Sequence, residues 1–278
     1  MKNECAIFLQ WALPQMKMRW SGFRKVHKQV CKRIRHRMNT LNLPNFGEYQ
    51  SWLTNHPKEW DVLDSMCRIT ISRFYRDWAV FDFLMDNLLH SLAKKAKHEN
   101  RPFRCWSAGC ASGEEPYTLA LIWHFVLRKK FPALDFQIIA TDIDERLLER
   151  AKIGCYPKGS LKGLPKPWLN KAFSVNESGY CIHSSFSKSI KWIKQDIRIS
   201  FPSGTFDLLL CRNLVATYFE PSLQRAIFNQ MKAVLRPAGF LVLGCHEKLP
   251  EEIEGFSSKL EKLNIYEMSA NPIFFNTP

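Results

Sequence analysis

A chain of 278 residues, 46% apolar and 24% charged, can bury a full core and has the composition of a globular protein. No apolar run approaches the ~20 residues that a membrane span requires, and nine cysteines with neither a Cys-x-x-Cys pair nor a histidine cluster leave no metal site to read. The balance of 40 Lys+Arg against 26 Asp+Glu, a net +14, turns attention to acidic partners.

At the start, Cys5 to Leu13 has the apolarity of a weak leader core. Glu4 precedes it and no small-residue cleavage site follows, so a terminal helix packed on the core is expected. Between Lys17 and Arg37 stand Lys17, Arg19, Arg24, Lys25, Lys28, Lys32, Arg33, Arg35 and Arg37 with no acid among them. Phe23, Val26, Val30 and Ile34 recur there at helical spacing, which predicts one amphipathic helix over Lys17–Met38 with a basic outer face. Such a face suits an acidic protein surface, a nucleic acid or a membrane surface. Further helices are predicted over Phe46–Thr54, Lys58–Met66 and Trp78–Ala96, with Asn45 and Asp77 as N-caps. Residues 1–95 thus read as a helical domain, and the hydrophilic stretch Lys94–Arg101 as a linker.

From residue 96 the pattern changes to alternating strands and helices. Strands are predicted at Phe103–Ala108, Phe136–Thr141, Ile190–Gln195, Phe206–Cys211 and Phe240–Gly244. A helix spans about Glu114 to Lys130, another is capped by Asp144 and stopped by Gly154, and a third carries Leu223, Ile227, Met231 and Leu235 on one face. Ser258–Leu263 and Asn264–Met268 read as a closing hairpin. Repeated strand–helix units define an α/β fold, a parallel sheet with helices on both faces. Several cysteines fall inside these apolar runs, where a free thiol behaves as a small hydrophobe. An odd count without a pairing pattern implies reduced thiols and a cytoplasmic setting.

In a doubly wound sheet, ligands bind beyond the carboxyl ends of the strands. That rule selects Gly109–Gly113, Asp142, Asp196 and Cys211-Arg212-Asn213, each of which follows an apolar strand. Glycines after the first strand let the backbone approach a ligand closely. They form neither Gly-x-Gly-x-x-Gly nor a P-loop, which disfavours dehydrogenases and NTPases. Asp142 lies two residues before the capping Asp144, on the rim itself, where a carboxylate can accept both hydroxyls of a ribose. Asp196 sits where an adenine amino group could be held, or it is an ordinary turn aspartate.

Four segments, in order, resemble one family. Ser107-Ala108-Gly109-Cys110-Ala111-Ser112-Gly113-Glu114-Glu115-Pro116-Tyr117-Thr118 resembles the signature of the chemotaxis-receptor glutamate O-methyltransferases, the CheR type. Thr70-Ile71-Ser72-Arg73-Phe74-Tyr75-Arg76-Asp77 resembles that family's Asn-Leu-Thr-x-Phe-Phe-Arg-Glu. Ala140-Thr141-Asp142-Ile143-Asp144 matches its second-strand acid, and Phe206-Asp207 through Cys211-Arg212-Asn213, then Tyr218-Phe219, its fourth-strand motif.

The resemblance spans roughly residues 20 to 268. It implies a Rossmann-like S-adenosylmethionine-dependent methyltransferase sheet preceded by a small all-helical N-terminal domain. It implies S-adenosyl-L-methionine as cofactor and S-adenosyl-L-homocysteine as product. Thr70, Ser72 and Arg76 would reach over the cofactor, and Ala108, Gly109 and Gly113 would pass close to it. Glu115 and Asp142 would hold its methionine end and ribose, Asp196 with Ile197 would flank the adenine, and Arg212 with Asn213 would line the donor pocket. Arg76 and Tyr218 would be catalytic, the tyrosine corresponding to the family's active-site tyrosine. The interval Tyr156–Ser189 covers the family's small β insert, which in some members grips a receptor tail; no clear signature of that role is present.

Elementary chemistry agrees with methyl transfer to a carboxylate. A glutamate is already ionised near neutral pH, so no general base is needed, and catalysis reduces to positioning and desolvation. Arg76 could orient the acceptor through a charge-assisted fork and Tyr218 through a hydrogen bond. Departures mark a divergent branch. Thr70 and Asp196 replace asparagines, and the step from Asn213 to Tyr218 is one residue longer than usual, so that Thr217 competes for the tyrosine's place. The sequence after Cys211 also lacks the Asn/Asp-Pro-Pro-Tyr/Phe of adenine and glutamine N-methylases. The reading is therefore a methyltransferase acting on carboxylate side chains of an acidic protein docked by residues 17–37. The alternatives are the same architecture acting on a small molecule or RNA, or a non-catalytic S-adenosylmethionine-binding module.

Overall fold

Ten strands organise the molecule, which a computed structural model describes over residues 4–270. They are β1 Phe103–Ala108, β2 Phe136–Asp142, β3 Cys155–Tyr156, β4 Phe173–Asn176, β5 Gly179–Ile182, β6 Ile190–Lys194, β7 Phe206–Cys211, β8 Leu235–Leu243, β9 Phe256–Leu260 and β10 Ile265–Met268. Seven form one sheet in the order β6-β2-β1-β7-β8-β10-β9. β6, β2, β1, β7 and β8 run parallel, while β10 pairs antiparallel with β8 and β9. Every residue of β7 is buried, as expected of a central parallel strand covered on both faces. The closing hairpin is β9–β10, turned by Asn264 in the left-handed region (φ 52°).

The chain forms two compact units. One comprises residues up to Thr70 together with Leu214–Gln224. Its first helix, Glu4–Gln15, buries Cys5, Phe8, Leu9, Ala12 and Leu13, the packed terminal helix expected. The single basic helix predicted over Lys17–Met38 is instead two helices, Trp20–Phe23 and His27–Thr40. Lys17 adopts a positive φ of 55° and Arg19 is extended. A Cβ at Gly22 would also collide with the Thr217 carbonyl, so close packing of backbone fixes the break. Not all of the cations face solvent. The Arg19 guanidinium donates to the carbonyls of Ala216 and Thr217, and that of Arg33 to those of Met66 and Arg68. Arg37 grips the buried Glu59 through two bonds of 2.9 and 2.7 Å. Asn45 caps helix Phe46–Asn55 by accepting the Glu48 N–H.

The second unit comprises Ile71–Asn213 and the chain from Arg225 onward. The first compact unit runs to Thr70, and the helices between Trp78 and His98 belong to the second. The helical run Trp78–Phe83, Leu84–Leu88 and Leu89–His98 places Val80, Phe81, Leu84, Leu88, Leu92 and Ala96 in the same apolar core as Phe103, Cys105, Ile138 and Leu208. The insert between β2 and β6 folds into a small antiparallel sheet, β3-β5-β4.

Nine free thiols were expected, but the structure has two disulfides, Cys5–Cys31 and Cys155–Cys181. The second joins residues directly paired across β3 and β5. Periodicity could not reveal these pairings, because each cysteine also fits as a small apolar residue. Each bridge closes a loop of 26 residues, for which chain entropy gives about 3.5 kcal/mol. Reduction with dithiothreitol should therefore lower the urea unfolding midpoint, Cys5→Ser or Cys155→Ser should reproduce half of the loss each, and an unmoved midpoint would show the thiols unpaired.

Candidate active site

The carboxyl ends of the parallel strands share one rim, and the strand order reverses between β1 and β7, the switch point where doubly wound sheets bind ligands. The loop leaving β1 is stitched to the end of β2. The N–H groups of Gly109 and Cys110 donate to the Thr141 carbonyl at 2.8 and 3.0 Å. Asp142 accepts the Ala111 N–H on Oδ2 and the Asp144 N–H on Oδ1, both at 2.9 Å, and Asp144 caps the next helix as expected. Ala108 is buried and Gly109 has a positive φ of 75°. Gly113, at φ 91°, would bring a Cβ to 2.8 Å from both Ala151 and Trp192. Helix-to-sheet packing accounts for that glycine without any ligand.

The two acids that open helix Glu114–Ile122 have different surroundings. Glu115 accepts the buried Ser107 hydroxyl on Oε1 (2.7 Å) and Arg212 Nη1 on Oε2 (3.2 Å). Glu114 is 3% exposed. It accepts the Ser72 hydroxyl, yet its Oε2 is buried with no hydrogen-bond partner among the described residues. Burial raises its pKa, outweighing the hydrogen bonds and Arg150 that act the other way.

Arg212 joins the rim together. Its side chain is 4% exposed. Nη2 donates to Asp77 Oδ2 (2.5 Å) and to the Arg76 carbonyl (3.0 Å), and the guanidinium lies 5.2 Å from the Phe81 ring centre. Asp77, expected to cap the following helix, makes no cap bond and adopts the left-handed region at φ 59°, because its carboxylate is turned to Arg212. Tyr75 is left-handed as well (φ 54°). Its N–H donates to Thr118 Oγ1 (3.1 Å) and its hydroxyl to Asp82 (2.8 Å). Between these two strained residues stands Arg76, half-buried. Its Nη1 donates to the Ile71 carbonyl at 2.7 Å and its Nε lies 3.9 Å from Asp77. Non-glycine residues at positive φ persist only where their surroundings over-determine them, each at a cost of about 1–3 kcal/mol. Tyr75, Asp77, Ala111 and Asn213 are four such residues in the loops around this rim.

Asp196 follows β6 in a turn in which its carboxylate accepts Arg198 Nε, Nη2 and N–H at 2.8–3.1 Å, beside the buried Ile197. Thr70 is exposed and lies in the first compact unit, as does Tyr218. The Tyr218 ring packs on Phe23 at 5.0 Å, and its carbonyl accepts the Arg19 N–H. Thr217 is in the same short helix, Val215–Tyr218.

The CheR methyltransferase S-adenosylmethionine-binding domain model matches residues 70–263, and the CheR all-alpha domain model matches residues 27–63. The chain belongs to the CheR methyltransferase family. It is a methyltransferase that uses S-adenosylmethionine. The chemotaxis protein methyltransferase of Borreliella burgdorferi is 29% identical over 79% of this chain and 80% of its own length. Chemotaxis protein methyltransferase 2 of Pseudomonas aeruginosa is 30% identical over 78% of this chain and 77% of its own. A 104.1 kDa protein of Rhodobacter capsulatus is 30% identical over 82% of this chain, which spans only 24% of that protein. Among solved structures, the N-methyltransferase NodS of Bradyrhizobium japonicum aligns with a TM-score of 0.31 and 16% identity over 60% of this chain and 64% of its own. That likeness is too slight to add to the assignment.

Sequence reasoning passed over Glu114, the true task of Asp77, and the turn Gly244–Glu247. The last had a signal, since it follows β8 just as Arg212 follows β7, at the same rim. Because Glu114 has a raised pKa when folded, the native state binds its proton more tightly than the unfolded chain does. Stability therefore falls as pH rises through the window above the ordinary value of 4.5. Glu114→Gln should match the wild type in stability profile below that value and gain on it above; parallel profiles in urea at pH 4 and pH 7 would show that Glu114 is not buried as a carboxylate.

Proposed function

We propose that the protein transfers a methyl group to a carboxylate side chain, a glutamate, of an acidic protein. The supporting observation is the charge inventory of the rim. Glu115 and Asp142 are engaged by Ser107, Arg212 and backbone N–H groups, while Arg76 and Arg212 supply cations suited to an anionic acceptor. The nearby thiols are held protonated: burial pushes Cys110 and Cys245 above the usual range. A carboxylate acceptor arrives already ionised and needs no base. The relatives' name, chemotaxis protein methyltransferase, points the same way.

S-adenosylmethionine supplies a methyl group activated on a sulfonium and carries an ammonium at its methionine end. The residues present fit it. Glu114, with its orphaned buried oxygen, is assigned to the ammonium in place of Glu115, whose oxygens hold Ser107 and Arg212. Asp142, at the rim after β2, is assigned to the ribose hydroxyls. Ile197, with Asp196, is placed against the adenine, and Ser72, Ala108, Gly109, Gly113 and Asn213 complete the wall. Arg76 is assigned to the acceptor carboxylate through a charge-assisted fork that also excludes water. Thr70 and Tyr218 keep their proposed roles on the family resemblance alone. Lys17, Arg24, Lys25, Lys28, Lys32 and Arg35 are exposed and are proposed to dock the acidic partner. The enzyme is proposed to be cytoplasmic, a setting in which its two disulfides would be uncommon; no helix among the described residues is long and apolar enough to cross a membrane.

The test uses methyl-labelled donor, purified protein and a lysate of the source cell. The labelled product should release volatile methanol in mild alkali, and Arg76→Ala should abolish labelling while changing unfolding stability by less than about 1 kcal/mol. Alkali-stable label would mean N-, C- or S-methylation and would overturn the carboxylate assignment.

A further inference from the structure

β7 and β8 pair in parallel up to Cys211 and Leu243, and just past these ends both chains are tied to one carboxylate. Glu247 is 3% exposed. Its Oε2 accepts the N–H of Asn213 and the N–H of Gly244, each at 2.7 Å. The Glu247 N–H donates back to the Gly244 carbonyl at 2.8 Å, which also accepts the buried Asn264 Nδ2 at 2.9 Å. The fit leaves no room for a side chain: a Cβ at Gly244 would lie 2.5 Å from Asn213 Nδ2 and 2.8 Å from Glu247 Oε2. Asn213 is held at φ 56°, a conformation that needs support from its surroundings. It directly follows Arg212, the guanidinium that fixes Asp77 and the Arg76 carbonyl. Two N–H groups converging on one acceptor oxygen fix the two chain ends relative to each other, so Glu247 is well suited to hold this geometry.

We propose that Glu247 is a positioning residue of the methyltransferase. By clamping Asn213 and Gly244 on one oxygen, it sets the end of β7, and with it Arg212, in the arrangement that receives the donor. The inference rests on the placing of Arg212 and Asn213 in the donor pocket and is independent of what the acceptor is. Glu247 itself touches neither donor nor acceptor in this role.

The experiment titrates S-adenosylhomocysteine into wild type, Glu247→Ala and Glu247→Gln by calorimetry, at a temperature where circular dichroism shows all three folded. Glu247→Ala should weaken the Kd tenfold or more. Glu247→Gln, whose amide oxygen can still accept both N–H groups, should stay within about threefold of wild type. Wild-type affinity in Glu247→Ala, even with a lowered Tm, would reduce Glu247 to a merely structural residue and overturn the proposal. So would a Glu247→Gln variant as weak as Glu247→Ala, because the clamp requires an acceptor and not a charge. No binding by the wild type would instead sink the donor-pocket reading on which the proposal rests.

Discussion

A single buried guanidinium organises the rim of the sheet. Arg212 is almost fully enclosed, and a cation there is tolerable only because Asp77, Glu115 and the Arg76 carbonyl surround it. These partners belong to two segments, the loop before the helix at Trp78 and the helix after β1, while Arg212 itself stands at the end of β7. Satisfying Arg212 therefore fixes three otherwise independent loops in one arrangement. The left-handed backbone at Tyr75 and Asp77 is one cost of that arrangement. It leaves Arg76 half-buried between them, with Nε 3.9 Å from Asp77 and Nη1 on the Ile71 carbonyl. A lysine at position 212 would lack the fork that serves these partners together.

The same cluster separates the roles of the two adjacent acids. Glu115 is neutralised by Arg212, whereas Glu114 is buried with an oxygen unpartnered and its charge disfavoured. A protein rarely keeps such a group without a use, and an incoming ammonium would relieve it. Asp142 differs again, because backbone N–H groups of Ala111 and Asp144 donate to its two oxygens and steady the carboxylate.

Much of this was legible in the sequence. Apolar runs of strand length ending in Gly109, Asp142, Asp196 and Arg212 placed the rim correctly, because parallel strands buried on both faces leave a strong pattern and topology dictates where they end. The closing hairpin, the cap at Asn45 and the stop at Gly154 followed from local chemistry. Three features lay out of reach for definite reasons. Asp77 carries the usual mark of an N-cap, and only the buried cation at position 212, far along the chain, diverts it. The basic stretch Lys17–Arg37 has helical periodicity throughout, yet tight backbone packing at Gly22 breaks it and draws Arg19, Arg33 and Arg37 into structural bonds. The disulfides join cysteines whose apolar settings suggested buried thiols.

The most direct measurement is a crystal structure of the protein with S-adenosylhomocysteine. The ammonium of the homocysteine should lie within hydrogen-bond distance of Glu114 Oε2 and the ribose hydroxyls on Asp142, with Arg212 still bound to Asp77 and Glu115. If the ligand's ammonium sat elsewhere, or if Arg212 left Asp77 to meet the ligand, the division of roles between Glu114, Glu115 and Arg212 would be wrong.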